Sequence, residues 1–282
     1  MVKTPATPPG ACDCHVHIYD DRYPLAPTAT FRPPHAPVSA YREVQRTLGL
    51  ERVVLVQPTG YGFDNACLLD ALAQFGDTAR GIAVVRADAS DAELQRLHSA
   101  GVRGVRYMLL AGAGGALGWD TLERMAARIA PLGWNIDLQL DGRELPQHQA
   151  LIDRLPGKLV IDHTGKFIEP VAVDAPAFKA LQALLDRDDR WVKLSAPYET
   201  SKLGPPHYSD VAALARALIA SHPERCLWAS NWPHPNRVPV PSDAHMLALL
   251  GQWAPDERVR TAILVHNPAA LYGLDAVVPA RQ

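Results

Sequence analysis

The chain has 282 residues, with 28 Lys and Arg against 30 Asp and Glu and a formal net charge of −2. A hydrophobic share of 48% against 21% charged residues excludes a disordered chain. The near-neutral balance gives no electrostatic basis for a nucleic-acid or membrane-surface partner, and no apolar run approaches the roughly 20 residues of a membrane span.

Residues 1–10 are rich in Pro and Thr and lack an apolar stretch, so they read as a frayed arm rather than a secretory leader, and a cytoplasmic protein is expected. The four cysteines, at 12, 14, 67 and 226, then read as free thiols. From 11 to 275 apolar runs alternate with amphipathic patterns in one domain, and 276–282 is left as a tail. Strands are predicted at 12–18, 52–57, 81–86, 102–108, 134–140, 158–163, 191–196 and 226–231. Helices are predicted between them at 40–48, 65–75, 92–100, 121–132, 145–155, 175–185 and 210–222. Strands alternating with helices argue for a parallel sheet, and eight of them in a chain of this size predict an α/β fold, a single (β/α)8 TIM barrel. The rival is an open doubly wound sheet, which would carry a Gly-rich phosphate turn after the first strand; none stands there. The Gly- and Ala-rich 110–118 follows the fourth strand and reads as a flexible loop at the barrel mouth.

Barrel chemistry sits at the C-terminal strand ends. The first strand reads Cys-Asp-Cys-His-Val-His-Ile. Strict alternation puts Asp13, His15 and His17 in the lumen and Cys12, Cys14, Val16 and Ile18 against the helices. Two inward imidazoles are costly as mere packing, which makes His15 and His17 catalytic candidates. The second strand ends at Gln57, and the fourth supplies Arg106, with Gly104 leaving lumen space on the same face. An arginine there suits a carboxylate, which it binds bidentately. Arg103, lower on the strand, reads as half of a structural ion pair. The fifth strand puts Asn135, Asp137 and Gln139 on one face, and the sixth delivers His163, with Lys166 in the following loop. The seventh carries Lys193 and Ser195, then Tyr198 and Glu199; a buried ammonium needs an acidic partner or an anionic ligand. The eighth delivers Asn231 and His234. His15, His17, His163, Asn231 and Glu199 are the catalytic candidates. Gln57, Arg106, Gln139, Lys166, Lys193, Tyr198 and His234 are the substrate-binding ones. So much positive charge in one mouth predicts a small anionic ligand, a dicarboxylate.

His15-Val-His17, His163, the Ser-Asn-Trp-Pro-His run from Ser230 to His234 and the closing His266-Asn-Pro-Ala-Ala-Leu-Tyr together resemble the amidohydrolase superfamily. Within it the chain is similar to the branch that contains 2-pyrone-4,6-dicarboxylate lactonase and D-galactarolactone isomerase. The resemblance spans residues from about Gly10 to Gly273, and implies a distorted (β/α)8 barrel acting on a cyclic ester or amide, often one with carboxylates. Metal-dependent members add a bridging Lys or Glu, a further His and an Asp at the end of the eighth strand. Here Arg106 stands on the fourth strand and Asn231 on the eighth, so no metal and no other cofactor are expected. A single divalent ion such as zinc on His15, His17 and His163 is the alternative kept open. In the lactonase the eighth-strand Asp is thought to activate water; Asn231 cannot accept that proton. The isomerase carries Asn there, and its seventh-strand loop is similar to Ala196-Pro-Tyr-Glu-Thr-Ser201. The intact His15-x-His17 pair looks more like the lactonase. The expected activity is therefore hydrolysis of a small anionic lactone, with lactone isomerisation as the alternative and a catalytically silent anion binder as the third. A homo-oligomer is compatible with the sequence.

Overall fold

In the computed structural model, which describes residues 7–274, eight parallel strands follow one another in sequence order. They are β1 (Cys12–Val16), β2 (Arg52–Val56), β3 (Ala79–Ala83), β4 (Val102–Met108), β5 (Asn135–Gln139), β6 (Lys158–Ile161), β7 (Arg190–Leu194) and β8 (Cys226–Trp228). The ring closes above β8, where Asn231 N donates to His15 O at 3.1 Å and His17 N to Trp232 O at 2.9 Å. Between the strands run α1 (Val38–Leu48), α2 (Ala66–Phe75), α3 (Asp91–Ser99), α4 (Trp119–Ile129), α5 (Leu145–Arg154), α6 (Pro176–Leu185) and α7 (Ser209–Ser221). In α4 the buried residues Leu122, Met125, Ala126 and Ile129 recur at three- and four-residue spacing, the stripe that packs a helix onto a sheet. The strands are covered on both sides, so they are buried on both, with the polar side chains among them paired inside the fold. Among the described residues no helix is long and apolar enough to cross a membrane.

Past residue 222 the sequence reading offered no helix, yet α8 (Asp243–Trp253), α9 (Glu257–Thr261) and α10 (Asn267–Tyr272) follow. The last of these closes the N-terminal end of the barrel. Leu271, Tyr272 and Leu274 pack under Cys12, Cys14, Val54, Val160 and Leu227. Asn267 donates to the carbonyls of Pro223 and Cys226, both at 2.8 Å, so the His266-Asn-Pro motif anchors this plug to the start of β8. Residues 7–10, expected within a frayed arm, are tied down: Thr7 Oγ1 donates to Leu48 O at 2.6 Å and Gly10 N to Glu51 at 2.9 Å. Residues 1–6 and the predicted tail lie outside the described residues.

The expected alternation in β1 is broken. Its pairing with β2 shifts between Asp13 and Val16, a bulge. Before it, Cys12 and Cys14 face the lumen, contrary to expectation. Asp13 faces outward, where Tyr41 of α1 donates to it at 3.0 Å and Ser230 N at 2.9 Å. After the bulge His15 and His17 enter the lumen together.

Other expectations fail for similar local reasons. β3 starts at Ala79 rather than 81, and the expected strand residue Val84 instead pairs through its backbone with the Asn65 side chain. β6 and β8 stop at Ile161 and Trp228, two and three residues early, and the chain then turns through left-handed conformations at His163 (φ 52°) and Asn231 (φ 63°). Gly104 leaves no lumen space: a Cβ there would lie 2.6 Å from Asn135 O and 2.8 Å from Ile82. The glycine is required by close packing. Arg103 forms no ion pair among the described residues and donates to His98 O and Val102 O. All four cysteines are free and buried.

Candidate active site

Beneath the mouth of the barrel lies a closed polar network. Lys193 Nζ is 2.5 Å from Asp137 Oδ2, 3.1 Å from Asp162 Oδ1 and 3.2 Å from His15 Nδ1, all of them without solvent exposure. His15 Nε2 is 3.2 Å from His17 Nε2, and His17 Nδ1 is 2.8 Å from Val56 O. One proton arrangement satisfies this series. Val56 O only accepts, so His17 Nδ1 carries the hydrogen and its Nε2 accepts from His15 Nε2–H. His15 Nδ1 then accepts from the Lys193 ammonium. Burial drives the His15 imidazole down to about 3 and the His17 and His163 imidazoles well below their usual value, so all three are neutral near pH 7. Burial opposes the Asp162 charge, but the Lys193 ammonium outweighs it and holds that carboxyl well below the ordinary range. Burial raises the Asp137 carboxyl to about 6 against the pull of Lys193.

Above the network opens a cleft of about 320 Å³. Of the expected residues, His17, Arg106, Gln139, His163, Lys166, Glu199 and Asn231 line it. Arg106 donates to Gln57 O at 3.1 Å and to Gln139 Oε1 at 2.9 Å; its Nε is buried without a partner. His163 Nδ1 is 2.8 Å from Ser195 Oγ. The Lys166 ammonium pairs with Glu199 Oε2, while Asn231 Nδ2 donates to Glu199 Oε1 at 3.2 Å and to Tyr198 Oη at 2.9 Å. Glu199 is thus gripped through both oxygens.

Four residues expected to bind substrate sit elsewhere. Lys193 belongs to the buried network and is neutralised there. Gln57 turns its side chain to the Gly62 and Asp64 carbonyls, holding the loop after β2. Tyr198 and His234 are bonded to each other at 2.8 Å behind Asn231, and His234 Nε2 reaches Asp243 of α8 at 2.9 Å. His15 does not line the cleft and reaches it only through its hydrogen bond to His17. Sequence reasoning missed Asp162, Tyr19 and Arg237. Asp162 stands beside His163 in the opposite strand phase; the left-handed turn brings both inward. Tyr19 and Arg237 line the cleft from the loops after β1 and β8.

A metal fits this donor set poorly. Among the described residues the ligand-type atoms of His15, Asp162 and His163 lie within 4.8 Å of one another, whereas His17, expected in their company, is bonded through both nitrogens. Lys193 Nζ already touches Asp162 and His15, so a divalent ion among these ligands would face an ammonium at close range.

Known proteins carry the same architecture. The chain is 35% identical over 278 residues to D-galactarolactone isomerase of Agrobacterium fabrum, covering 97% of this chain and 94% of that protein. It is 35% identical over 276 residues to 2-pyrone-4,6-dicarboxylate hydrolase of Comamonas testosteroni, covering 94% and 90%. An apo crystal structure of an Agrobacterium tumefaciens protein superposes with a TM-score of 0.91 at 35% identity, covering 97% of this chain and 99% of that one. With the sequence model of the amidohydrolase family matching residues 12–274, the chain belongs to that family.

Proposed function

We propose that the cleft opens the ester of a small carboxylate-bearing lactone by direct attack of water, without a metal. The observation that carries this reading is Arg106. It is a buried guanidinium whose hydrogen bonds go only to neutral groups, in the same cleft as a carboxylate held on both oxygens. An uncompensated buried cation is costly, and a substrate carboxylate removes the cost. One curated relative is a lactone hydrolase with a dicarboxylate substrate, as its name states, and this agrees with the charge of the cleft.

With the carboxylate on Arg106, the ring ester lies among His163, Glu199 and Asn231. Ser195 donating to His163 Nδ1 leaves Nε2–H as a donor for the ester carbonyl, where negative charge grows as the tetrahedral intermediate forms. Glu199 takes a proton from water, the water oxygen bonds to the carbonyl carbon, and the ring C–O bond breaks as Glu199 returns the proton to the departing oxygen. The product is a hydroxy acid, which releases one proton to solvent near pH 7. Glu199 thereby does from the β7 loop what Asn231 cannot do from the end of β8.

Asn231 favours a second reading. Its amide hydrogens are engaged by Tyr198 and Glu199, so its Oδ1 is the atom that faces a nucleophile, and a substrate hydroxyl suits it as well as water does. Attack by that hydroxyl moves the ester between ring positions, the reaction named for the isomerase relative. A panel of pyrone dicarboxylate, muconolactones and aldarolactones, followed by pH indicator and carbon NMR, separates the two. Acid release is expected. A changed carbon spectrum without acid makes the protein an isomerase, and no turnover of any lactone leaves an anion binder. In either enzyme, Glu199→Gln should lower kcat by roughly 10²- to 10⁴-fold, the usual worth of a general base.

A further inference from the structure

Arg237 lies six residues beyond Asn231 in the loop after β8 and lines the same cleft. Its guanidinium carbon sits 5.6 Å over the Tyr198 ring. That ring is anchored from behind, since Tyr198 Oη meets His234 Nδ1 at 2.8 Å and His234 Nε2 meets Asp243 Oδ1 at 2.9 Å. A cation–π contact of this kind uses the charge of the guanidinium and none of its N–H groups, which stay available to an anion. Among the described residues no ion pair and no side-chain hydrogen bond engages Arg237. It is also the third cation of a cleft whose one acidic lining residue, Glu199, is already held by Lys166. Among the described residues neither Arg106 nor Arg237 is ion-paired with a carboxylate, one buried at the base of the cleft and one half-exposed in the loop above it.

We propose that Arg237 is a specificity residue that recognises a second anionic group of the substrate at the rim, while Arg106 holds the first at the base. The assignment rests on the reading of this cleft as a lactone site, and adds to it the residue that selects dianions over monoanions. A monoanion satisfies only one of the two arginines and leaves the other repelled by its neighbours.

The test uses binding as well as turnover. Isophthalate and benzoate differ by one carboxylate, and each is titrated calorimetrically into the wild-type protein, Arg237→Gln and Arg237→Lys. The wild type should prefer isophthalate by roughly 10- to 100-fold, the range of a hydrogen bond to a charged group. Arg237→Gln should erase that preference while benzoate binds as before, and Arg237→Lys should keep part of it. With a dicarboxylate lactone and its remote monomethyl ester, Arg237→Gln should raise KM for the diacid much more than for the ester. No preference in the wild type, or an equal loss for both ligands in Arg237→Gln, overturns the assignment; equal loss is what a collapsed Tyr198 platform would give. A preference that Arg237→Gln erases in a protein that turns over no lactone supports Arg237 and defeats the lactone reading instead. Turnover with no such preference does the reverse.

Discussion

Lys193 and Arg106 are buried cations of the same lumen, yet they are surrounded differently. Lys193 touches two carboxylates and an imidazole, and its charge is spent inside the fold. Arg106 touches a backbone carbonyl and a side-chain amide, and its charge is left over. The first arrangement builds a scaffold that fixes His15 and through it His17. The second leaves a positive potential where a ligand can collect it. The same lesson separates Lys166, paired with Glu199, from Arg237, which lies over the Tyr198 ring and has no ion-pair partner among the described residues. Within one barrel, the partner of a cation indicates whether it holds the protein or the substrate.

The hardest way to break this comparison is Lys193→Met. It strands the Asp137 and Asp162 carboxylates in the lumen, and removal of one partner from a buried ionic cluster costs about 3–5 kcal/mol. Urea unfolding should show a loss of that size. A loss under about 1 kcal/mol would mean that the network is not a scaffold. Arg106→Gln is the counterpart. It removes a buried cation that no carboxylate contacts, so it should not destabilise the fold, while kcat/KM on an anionic lactone should fall about 100-fold through KM. If Arg106→Gln unfolds the protein as readily as Lys193→Met, the two cations are alike and the contrast is lost.

Much of this was legible in sequence because periodicity reports burial. The strand and helix rhythm placed the eight strands to within a few residues, and the strand ends named Arg106, His163, Lys166, Glu199 and Asn231. What was not legible depends on partners. The bulge in β1 arises where that strand must pair with β2 on one side and with the Ser230–Trp232 turn on the other; neither is visible in Cys-Asp-Cys-His-Val-His. The sequence shows that Lys193 needs an acid, but only the stagger of neighbouring strands decides that Asp137 and Asp162 both supply it. Asp162 stands out of phase with His163 until a left-handed turn cancels the difference. Tyr198 and His234 have the residue types of a binding site and are consumed by each other. Arg237 follows the predicted last strand in a stretch rich in proline with no periodicity, and the fold of the loop alone returns it to the cleft.

Lys166 sharpens the comparison at its weakest point, because its pairing depends on pH. Burial and the Arg106 guanidinium pull its ammonium down to about 7, against the opposing pull of the Asp162 carboxylate. Below that value the Lys166–Glu199 pair is neutral as a whole and the cleft keeps the positive excess of its two arginines. Above it Lys166 loses its proton, the pair becomes an anion, and a carboxylate-bearing substrate meets repulsion where it met none. Thus kcat/KM on an anionic lactone should fall as pH rises past about 7, by up to about tenfold per unit, with the change carried by KM. Lys166→Arg keeps its charge across the same range, so the falling limb should vanish from that variant. A limb that survives in Lys166→Arg would belong to another group, and the pair would then count with Lys193 as part of the scaffold. A limb that disappears shows that even a paired cation is read by the substrate, provided its partner is itself part of the catalytic machinery.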